Sequence, residues 1–232
     1  LIFEMSKNIE LSSLAQRKAQ AKLRINEIFF SIQGESTKVG LPTIFIRLTG
    51  CPLRCSYCDT AYAFHDGKKM TVDEIIRDIS QYCSKHVTVT GGEPLAQKAC
   101  YGFLARLCDE GFHVSLETSG AIDIAHVDER VMKIMDIKTP GSAEASKNKF
   151  DNLTYISNKD QIKFVIRDRN DYEWTVRKMS EFNLTDKSEV LLSPEHESLS
   201  SVELAEWILE DKLNVRLQIQ LHKYLWGNAP GK

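Results

Sequence analysis

The chain has 232 residues, 42% of them hydrophobic and 27% charged, with a formal net charge of -2; this suits one folded domain with a sizeable core and excludes a disordered or low-complexity chain. Thirty Lys+Arg against thirty-two Asp+Glu leave no basic excess of the kind that grips nucleic-acid phosphates. No apolar run reaches the roughly 18 residues a bilayer span needs, and residues 1–24 are too charged for a signal-peptide core, so a soluble cytoplasmic protein is expected.

The chain opens on Leu1 with Met5 close behind, so its first four residues are expected to be an upstream remnant. Residues 1–24 are expected to form an N-terminal extension with a short amphipathic helix over Leu11–Leu23, where Leu11, Leu14, Ala15 and Ala19 recur among good helix formers. Residues 25–232 are expected to form a single domain. Runs rich in Val, Ile, Phe and Leu predict strands at Ile25–Phe30, Thr43–Leu48, His86–Thr90, His113–Glu117, Val131–Ile137, Gln161–Ile166, Glu189–Leu192 and Val215–Gln220. Between them, Thr71-Val72-Asp73-Glu74 has capping-box order and opens a helix carrying Ile75, Ile76 and Ile79. A second helix carries Phe103, Leu104 and Leu107 and stops at Gly111, and two more are predicted over Asp171–Phe182 and Leu199–Leu213. Thr139–Asn158, rich in Ser, Asn, Gly and Lys, predicts a long surface loop. Strand–helix–strand repetition argues for right-handed crossovers and a mainly parallel α/β sheet, curved or closed into a barrel, with active residues where strands end.

Three of the six cysteines fall within eight residues, Cys51-Pro52-Leu53-Arg54-Cys55-Ser56-Tyr57-Cys58, directly after the strand TIFIRL. A loop this tight can turn three thiolates toward one point, and soft thiolates select zinc, Cu(I) or iron–sulfur clusters. A structural zinc would want a fourth ligand, for which His65 is the nearest candidate. Cys83, Cys100 and Cys108 read as ordinary buried or partly buried thiols on helices. Gln33-Gly34-Glu35 is an ordinary turn on its face, and Asp59-Thr60 a helix N-cap. Arg47 is harder to explain plainly, because a guanidinium inside an apolar strand needs a carboxylate, either internal or carried by a ligand. In Thr90-Gly91-Gly92-Glu93-Pro94 two glycines stand where a strand ends, a place where backbone can approach a ligand. His222 is a lone histidine, more often structural than catalytic.

GCPLRCSYCDT followed by TGGEP resembles the cluster and SAM-binding motifs of radical S-adenosylmethionine (SAM) enzymes. INEIFFSIQGES, VTGGEPL, LETSG and the late QLHKYL narrow the resemblance to the 7-carboxy-7-deazaguanine synthases, over about Ile25 to Leu225. The resemblance implies a partial (β/α)6-type radical SAM barrel that turns 6-carboxy-5,6,7,8-tetrahydropterin into 7-carboxy-7-deazaguanine with loss of ammonia. In it, Cys51, Cys55 and Cys58 ligate three irons of a [4Fe-4S] cluster whose fourth iron chelates SAM, and one-electron reduction gives a 5'-deoxyadenosyl radical. It implies SAM contacts at Tyr57, Cys58, Asp59, Gly92, Glu93, Glu117, Asp136, Ile137, Lys138, Ser193, Pro194, Glu195 and His196, and Mg2+ at Thr60. For the substrate it implies Ile32, Gln33, Gly34, Glu35, Arg47, Thr90 and His222, with Gln220 beside the last. Relatives often have Ser-Pro-Lys where this chain has Asp136-Ile137-Lys138, and Gln-Thr-His where it has Gln220-Leu221-His222. An external one-electron donor such as flavodoxin or ferredoxin and a homodimer are implied as well. A glycyl-radical activase shares the cluster motif, and a zinc-stabilised binding module shares the cysteines; Gln33, Glu35 and Arg47 suit a small carboxylated pterin better than a protein loop.

Overall fold

The computed structural model describes residues 21–227, 229 and 231. Most of the helix expected over Leu11–Leu23, and the first four residues, lie outside these; Lys22 and Leu23 belong to a strand, so the domain begins before Ile25. That strand, β1 (Lys22–Ile32), is antiparallel to β2 (Pro42–Leu48), pairing Ile28 with Ile46, and to β3 (Lys68–Thr71) on its other side. β3 was not predicted, because KKMT shows one inward residue, Met70, among charges.

From β2 onward the pairing is parallel through β4 (His86–Gly91), β5 (His113–Thr118), β6 (Met132–Asp136), β7 (Gln161–Ile166), β8 (Glu189–Pro194) and β9 (Arg216–Leu217). The strand order is β3-β1-β2-β4-β5-β6-β7-β8-β9 in one open sheet, so the partial barrel is the form adopted and the closed one is not. β9 keeps two of the six residues expected for it.

Helices α1 (Val72–Ile79), α2 (Ala99–Asp109), α3 (Arg169–Phe182), α4 (Leu184–Lys187) and α5 (Ser201–Glu210) cover the sheet, and α6 (Leu221–Trp226) follows β9. The capping box of α1 is formed as read: Thr71 Oγ1 accepts from Glu74 N at 3.2 Å and Glu74 Oε2 accepts from Thr71 N at 2.7 Å. α4 and α6 were not predicted; at four and six residues they are too short for a helical period to show.

The period-2 alternation of the strands splits the sheet into two chemistries. Ile44, Ile46, Val87, Val89, Val114, Leu116, Phe164 and Leu192 join the core with Ile75, Phe103, Leu104, Tyr172 and Leu204 from the helices. The intervening residues give the other face a polar character: Thr88, Thr90, Ser115, Lys163 and Ser193 are buried without belonging to that core.

Thr139–Asn158 is not the surface loop expected. It winds through three 3-10 turns at Pro140–Ser142, Ala145–Lys147 and Phe150–Tyr155, and buries Thr139, Ser142, Asn152 and Leu153. Its polar composition serves internal hydrogen bonds: Asn152 Nδ2 donates to the carbonyls of Gly120 and Ile122 at 2.9 and 2.8 Å. Cys83 also departs from expectation, lying exposed after α1, whereas Cys100 is buried in α2 and Cys108 half-buried there.

Candidate active site

Strand register lines up a polar row at the C-terminal ends of the strands. Arg47 pairs with Thr90, Asp136 with Lys163, and Val165 with Ser193, and Glu117 lies between the first two pairs on β5. All seven line one cavity, closed on one side by the cluster loop and on another by the Gln33–Glu35 turn and α6. The strand-end rule for parallel sheets is thereby met.

Cys51, Cys55 and Cys58 are free, half-buried thiols that all line this cavity. Burial raises the Cys51 thiol, and pushes Cys55 up to about 11 with further help from Asp136 and its neighbouring cysteines. Thiols raised in this way, as at Cys51 and Cys55, need a cation to hold them ionised. Among the described residues no three His, Cys, Asp or Glu side chains are gathered closely enough for a single metal ion; a polynuclear cluster, in which each thiolate meets its own iron, suits the donor set better. Two cavity-lining residues carry a buried polar atom with no hydrogen-bond partner, Tyr57 Oη and Asp136 Oδ1, as expected of groups awaiting a ligand. Burial, then the nearby Asp136 charge, pushes Tyr57 up to about 12, so it stays a neutral donor.

The two glycines after β4 fit against protein. A Cβ on Gly92 would stand 2.3 Å from the Gly50 carbonyl and 2.7 Å from Cys51 Cβ, and one on Gly91 (φ 149°) would meet the Leu48 carbonyl at 2.2 Å. They let the end of β4 seat the cluster loop, with Glu93 N donating to Gly50 O at 2.9 Å. Glu93 itself is 0% exposed and does not line the cavity. Its carboxylate accepts from Leu95 N, Thr118 Oγ1, Ser119 N and Ser119 Oγ, which fastens the end of β4 to that of β5. Ile137 likewise points into the core, between Asp136 and Lys138, whose side chains pair at 3.0 Å.

At the other end of the row, Arg47 Nε donates to Glu27 Oε1 at 2.7 Å, and its guanidinium lies between the rings of Phe29 and Tyr62 at 5.8 and 5.7 Å. The internal carboxylate that the sequence left open therefore exists, yet it takes only Nε; both Nη groups make no hydrogen bond among the described residues. Glu35 is held by Lys163 Nζ and by Gln220 Nε2, the latter at 2.8 Å. Burial works to raise its carboxyl, but the Lys163 charge and these donors outweigh it and hold Glu35 below the ordinary range. Glu117 goes the other way: burial raises it, the Glu35 charge adds to this, and only Thr90 Oγ1, donating at 2.8 Å, and the nearby cations offset them. The charges acting on Glu117 are thus Glu35 and its partner Lys163, with Arg47 adding to the latter.

Gln33 is committed within the protein, donating to Thr88 Oγ1 at 3.1 Å and accepting from Glu35 N at 3.1 Å. The His222 ring occupies the space where a Cβ on Gly34 would sit, and Leu221 N donates to Gly34 O at 3.0 Å, so α6 is docked on the turn. Thr60 stands at the N-cap of a short 3-10 helix, Ala61–Phe64, without capping it through its side chain; its hydroxyl donates to Asp59 Oδ1 at 2.8 Å, and Asp59 Oδ2 meets Lys223 Nζ at 3.2 Å. Ile32, Ser193, Pro194, Glu195 and His196 also line the cavity, His196 at its exposed rim.

The description "Radical SAM superfamily" matches residues 45–185. A 7-carboxy-7-deazaguanine synthase from Chlorobaculum tepidum is 42% identical over 211 residues, covering 90% of this chain and 96% of the relative. One from Koribacter versatilis is 41% identical over 219 residues, with 88% and 97% covered. The chain belongs to the 7-carboxy-7-deazaguanine synthase family. A structure of QueE from Escherichia coli superposes with a TM-score of 0.73 over 88% of this chain and 96% of that one, at 23% identity, and shares its fold. Streptococcus suis SuiB bound to precursor peptide SuiA gives 0.52 over 74% of this chain and 46% of that one, at 14% identity. Membership of the radical SAM superfamily implies a [4Fe-4S] cluster and SAM, and these relatives do not favour the activase or zinc-module alternatives.

Lys163 is one polar residue that the sequence reading of the family motifs missed. Its signal was available: like Arg47, it is a cation inside an apolar strand, QIKFVI. Lys223 and the aromatic lining of Phe29, Phe45 and Phe64 were missed too, and nothing in their local sequence marks them as cavity residues rather than core.

Proposed function

We propose that the chain is a radical SAM lyase, converting 6-carboxy-5,6,7,8-tetrahydropterin to 7-carboxy-7-deazaguanine with loss of ammonia in queuosine and 7-deazapurine biosynthesis. The observation that carries this reading is one cavity with three cysteine thiols on one side and, on another, an Arg47 guanidinium whose two Nη groups are uncommitted among the described residues. Cys51, Cys55 and Cys58 would hold the cluster. SAM would lie between them and the strand ends, against Tyr57, Asp59, the Gly92 backbone, Asp136, Lys138 and Ser193–His196. When bound, the cluster and SAM supply a 5'-deoxyadenosyl radical by one-electron cleavage.

The chain's own part is binding, orientation and proton placement. Arg47 offers a fork to the substrate carboxylate, held in attitude by Glu27 and the flanking rings. Glu35, kept ionised by Lys163, would accept from the N–H groups of the aminopyrimidinone. Gln33 acts one step back, fixing Thr88 and the Glu35 backbone. Glu93 would act on SAM through the loop it fastens, and Ile137 through its backbone. His222 and Thr90 flank the same space, and Glu117, whose carboxyl burial raises, would reach the SAM ribose from the end of β5.

Thr60, with the Asp59 carboxylate beside it, would supply oxygen ligands to a Mg2+ completed by substrate and water. A homodimer is supported by Leu217, Ile219, Tyr224 and Leu225, exposed together around β9 and α6. An external one-electron donor such as flavodoxin or ferredoxin, in the cytoplasm, completes the reading; no helix among the described residues is long and apolar enough to cross a membrane.

The test is anaerobic turnover of the carboxytetrahydropterin with SAM, reductant and Mg2+, following ammonia and the deazapurine. Reductive SAM cleavage without either product would overturn the substrate assignment, and an unchanged rate over a chelator titration would remove Thr60 from a metal site.

A further inference from the structure

The loop that carries the three cysteines is held at its middle by the segment after β6. Ser56 N donates to Ser142 O at 3.0 Å, Ser56 Oγ donates to Gly141 O at 2.7 Å, and Arg54 N donates to Glu144 Oε1 at 2.6 Å. The backbone and side chain between the second and third cysteines therefore take their position from residues 141–144. That segment is fixed in turn by Asp171, in the first turn of α3, which is 1% exposed. Asp171 Oδ1 accepts from Gly141 N at 2.7 Å, while Oδ2 accepts from Thr139 Oγ1 at 3.0 Å and from Arg167 N at 3.2 Å. A Cβ on Gly141 would lie 2.4 Å from Asp171 Oδ2, so the turn is pressed directly onto the carboxylate.

Among the described residues Asp171 has no cationic partner. A buried carboxylate without one is costly unless several donors satisfy it, and the three donors here come from the turn and from the end of β7.

From this geometry we propose that Asp171 is a positioning residue for the cysteine loop: its carboxylate sets the 139–144 turn, which sets Ser56 and Arg54, which set where Cys55 and Cys58 can stand. It touches no cysteine itself. The inference rests on the reading of Cys51, Cys55 and Cys58 as cluster ligands, but its mechanical part does not.

Asp171→Asn keeps the size and removes one acceptor, since an amide nitrogen cannot accept from Gly141 N or from Thr139 and Arg167. On the full chain before reconstitution, hydrogen exchange should quicken about tenfold in the 51–58 segment, as expected when a hydrogen bond holding a local opening is lost. Segments 86–91 and 113–118 should keep wild-type rates. After reconstitution, the reduced-cluster EPR signal should split into more than one species on SAM addition while iron per chain stays near that of wild type. Thr139→Val removes one donor hydroxyl and should give the same pattern more weakly, which keeps the test readable if Asp171→Asn does not fold. Unchanged exchange in 51–58, or equal quickening across β4 to β8, would overturn the positioning role. Absence of any cluster signal in the unsubstituted chain would overturn the cluster reading alone, leaving the exchange result to decide on Asp171.

Discussion

Lys163→Met is the sharpest perturbation of the polar row. Lys163 and Glu35 side chains are 10% and 15% exposed, so the pair sits in a medium where two unit charges about 4 Å apart attract by roughly 4 kcal/mol at an effective dielectric near 20. Methionine retains the length and loses the charge, which leaves Glu35 with the Gln220 amide at 2.8 Å as its main remaining donor. Removing one partner of a buried pair costs about 3–5 kcal/mol. The retained hydrogen bond and proton uptake by Glu35 place the expectation at the lower end, about 3 kcal/mol. Urea unfolding of the full chain at pH 7 measures it, and Glu35→Gln in the same background should restore about 2 kcal/mol, because the uncompensated charge is then gone. A cost under about 1 kcal/mol, or strictly additive single and double variants, would refute the claim that these two charges sustain each other.

The other substitutions test single contacts. Cys55→Ala should leave a folded chain that takes up less iron and does not cleave SAM; full iron content with wild-type cleavage would remove it from the ligand set. Arg47→Ala should raise the KM for the carboxypterin at least tenfold while that for SAM stays within about twofold, since a charged hydrogen bond contributes about 1.5–3 kcal/mol; equal loss of both would point to general damage. Gly92→Ala should cost about 2 kcal/mol in urea unfolding, from overpacking against Gly50 and Cys51, and should lower iron incorporation; wild-type stability would mean the loop yields freely.

Much of this arrangement is legible in sequence because the local rules and the fold agree. The parallel strands show as short β-branched runs, α1 as its capping box, and the cavity's cluster side as three cysteines after β2. What stayed hidden is non-local. Glu93 reads as a ligand contact from its motif, but its four acceptor bonds run to β5 and its own loop, and only the register of β4 on β5 reveals them. Gln33 lines the cavity as its motif leads one to expect, but that Thr88, 55 residues away, also takes its amide shows only in the fold. The 139–158 segment has the composition of a solvated loop because it feeds internal hydrogen bonds instead of an apolar face, and composition cannot separate those two uses of Ser and Asn. Edge strand β3 escaped for a related reason: among the described residues one side of it faces no partner strand, so its charges are tolerated.

The pH dependence of stability follows from His222 and Glu35, which face each other across the Gly34 turn. Burial lowers His222 from its ordinary 6.5; the Glu35 and Asp59 carboxylates work to raise it, and Lys223 and Lys163 to lower it. A base whose pKa is lowered on folding is protonated more readily in the unfolded chain, so acidification from 6.5 toward the folded value favours unfolding. Glu35 is lowered from 4.5, so the stability it contributes is present above 4.5 and is lost as the pH falls through its lower folded value. Urea midpoints should therefore decline in two stages, first below about pH 6.5 and then below about pH 4.5, with Glu117, raised from 4.5 and so protonated more readily in the folded chain, offsetting part of the first decline between its raised value and 4.5. His86, lowered by burial and by the neighbouring His113 and Lys38, adds to the first stage with the same sign. His222→Gln should consequently shallow the decline between pH 6.5 and 5 without abolishing it, and leave the acid stage in place. An unchanged slope in that window would show that the ring on the Gly34 turn is as free to take a proton in the folded chain as in the unfolded one, and that α6 does not bury it.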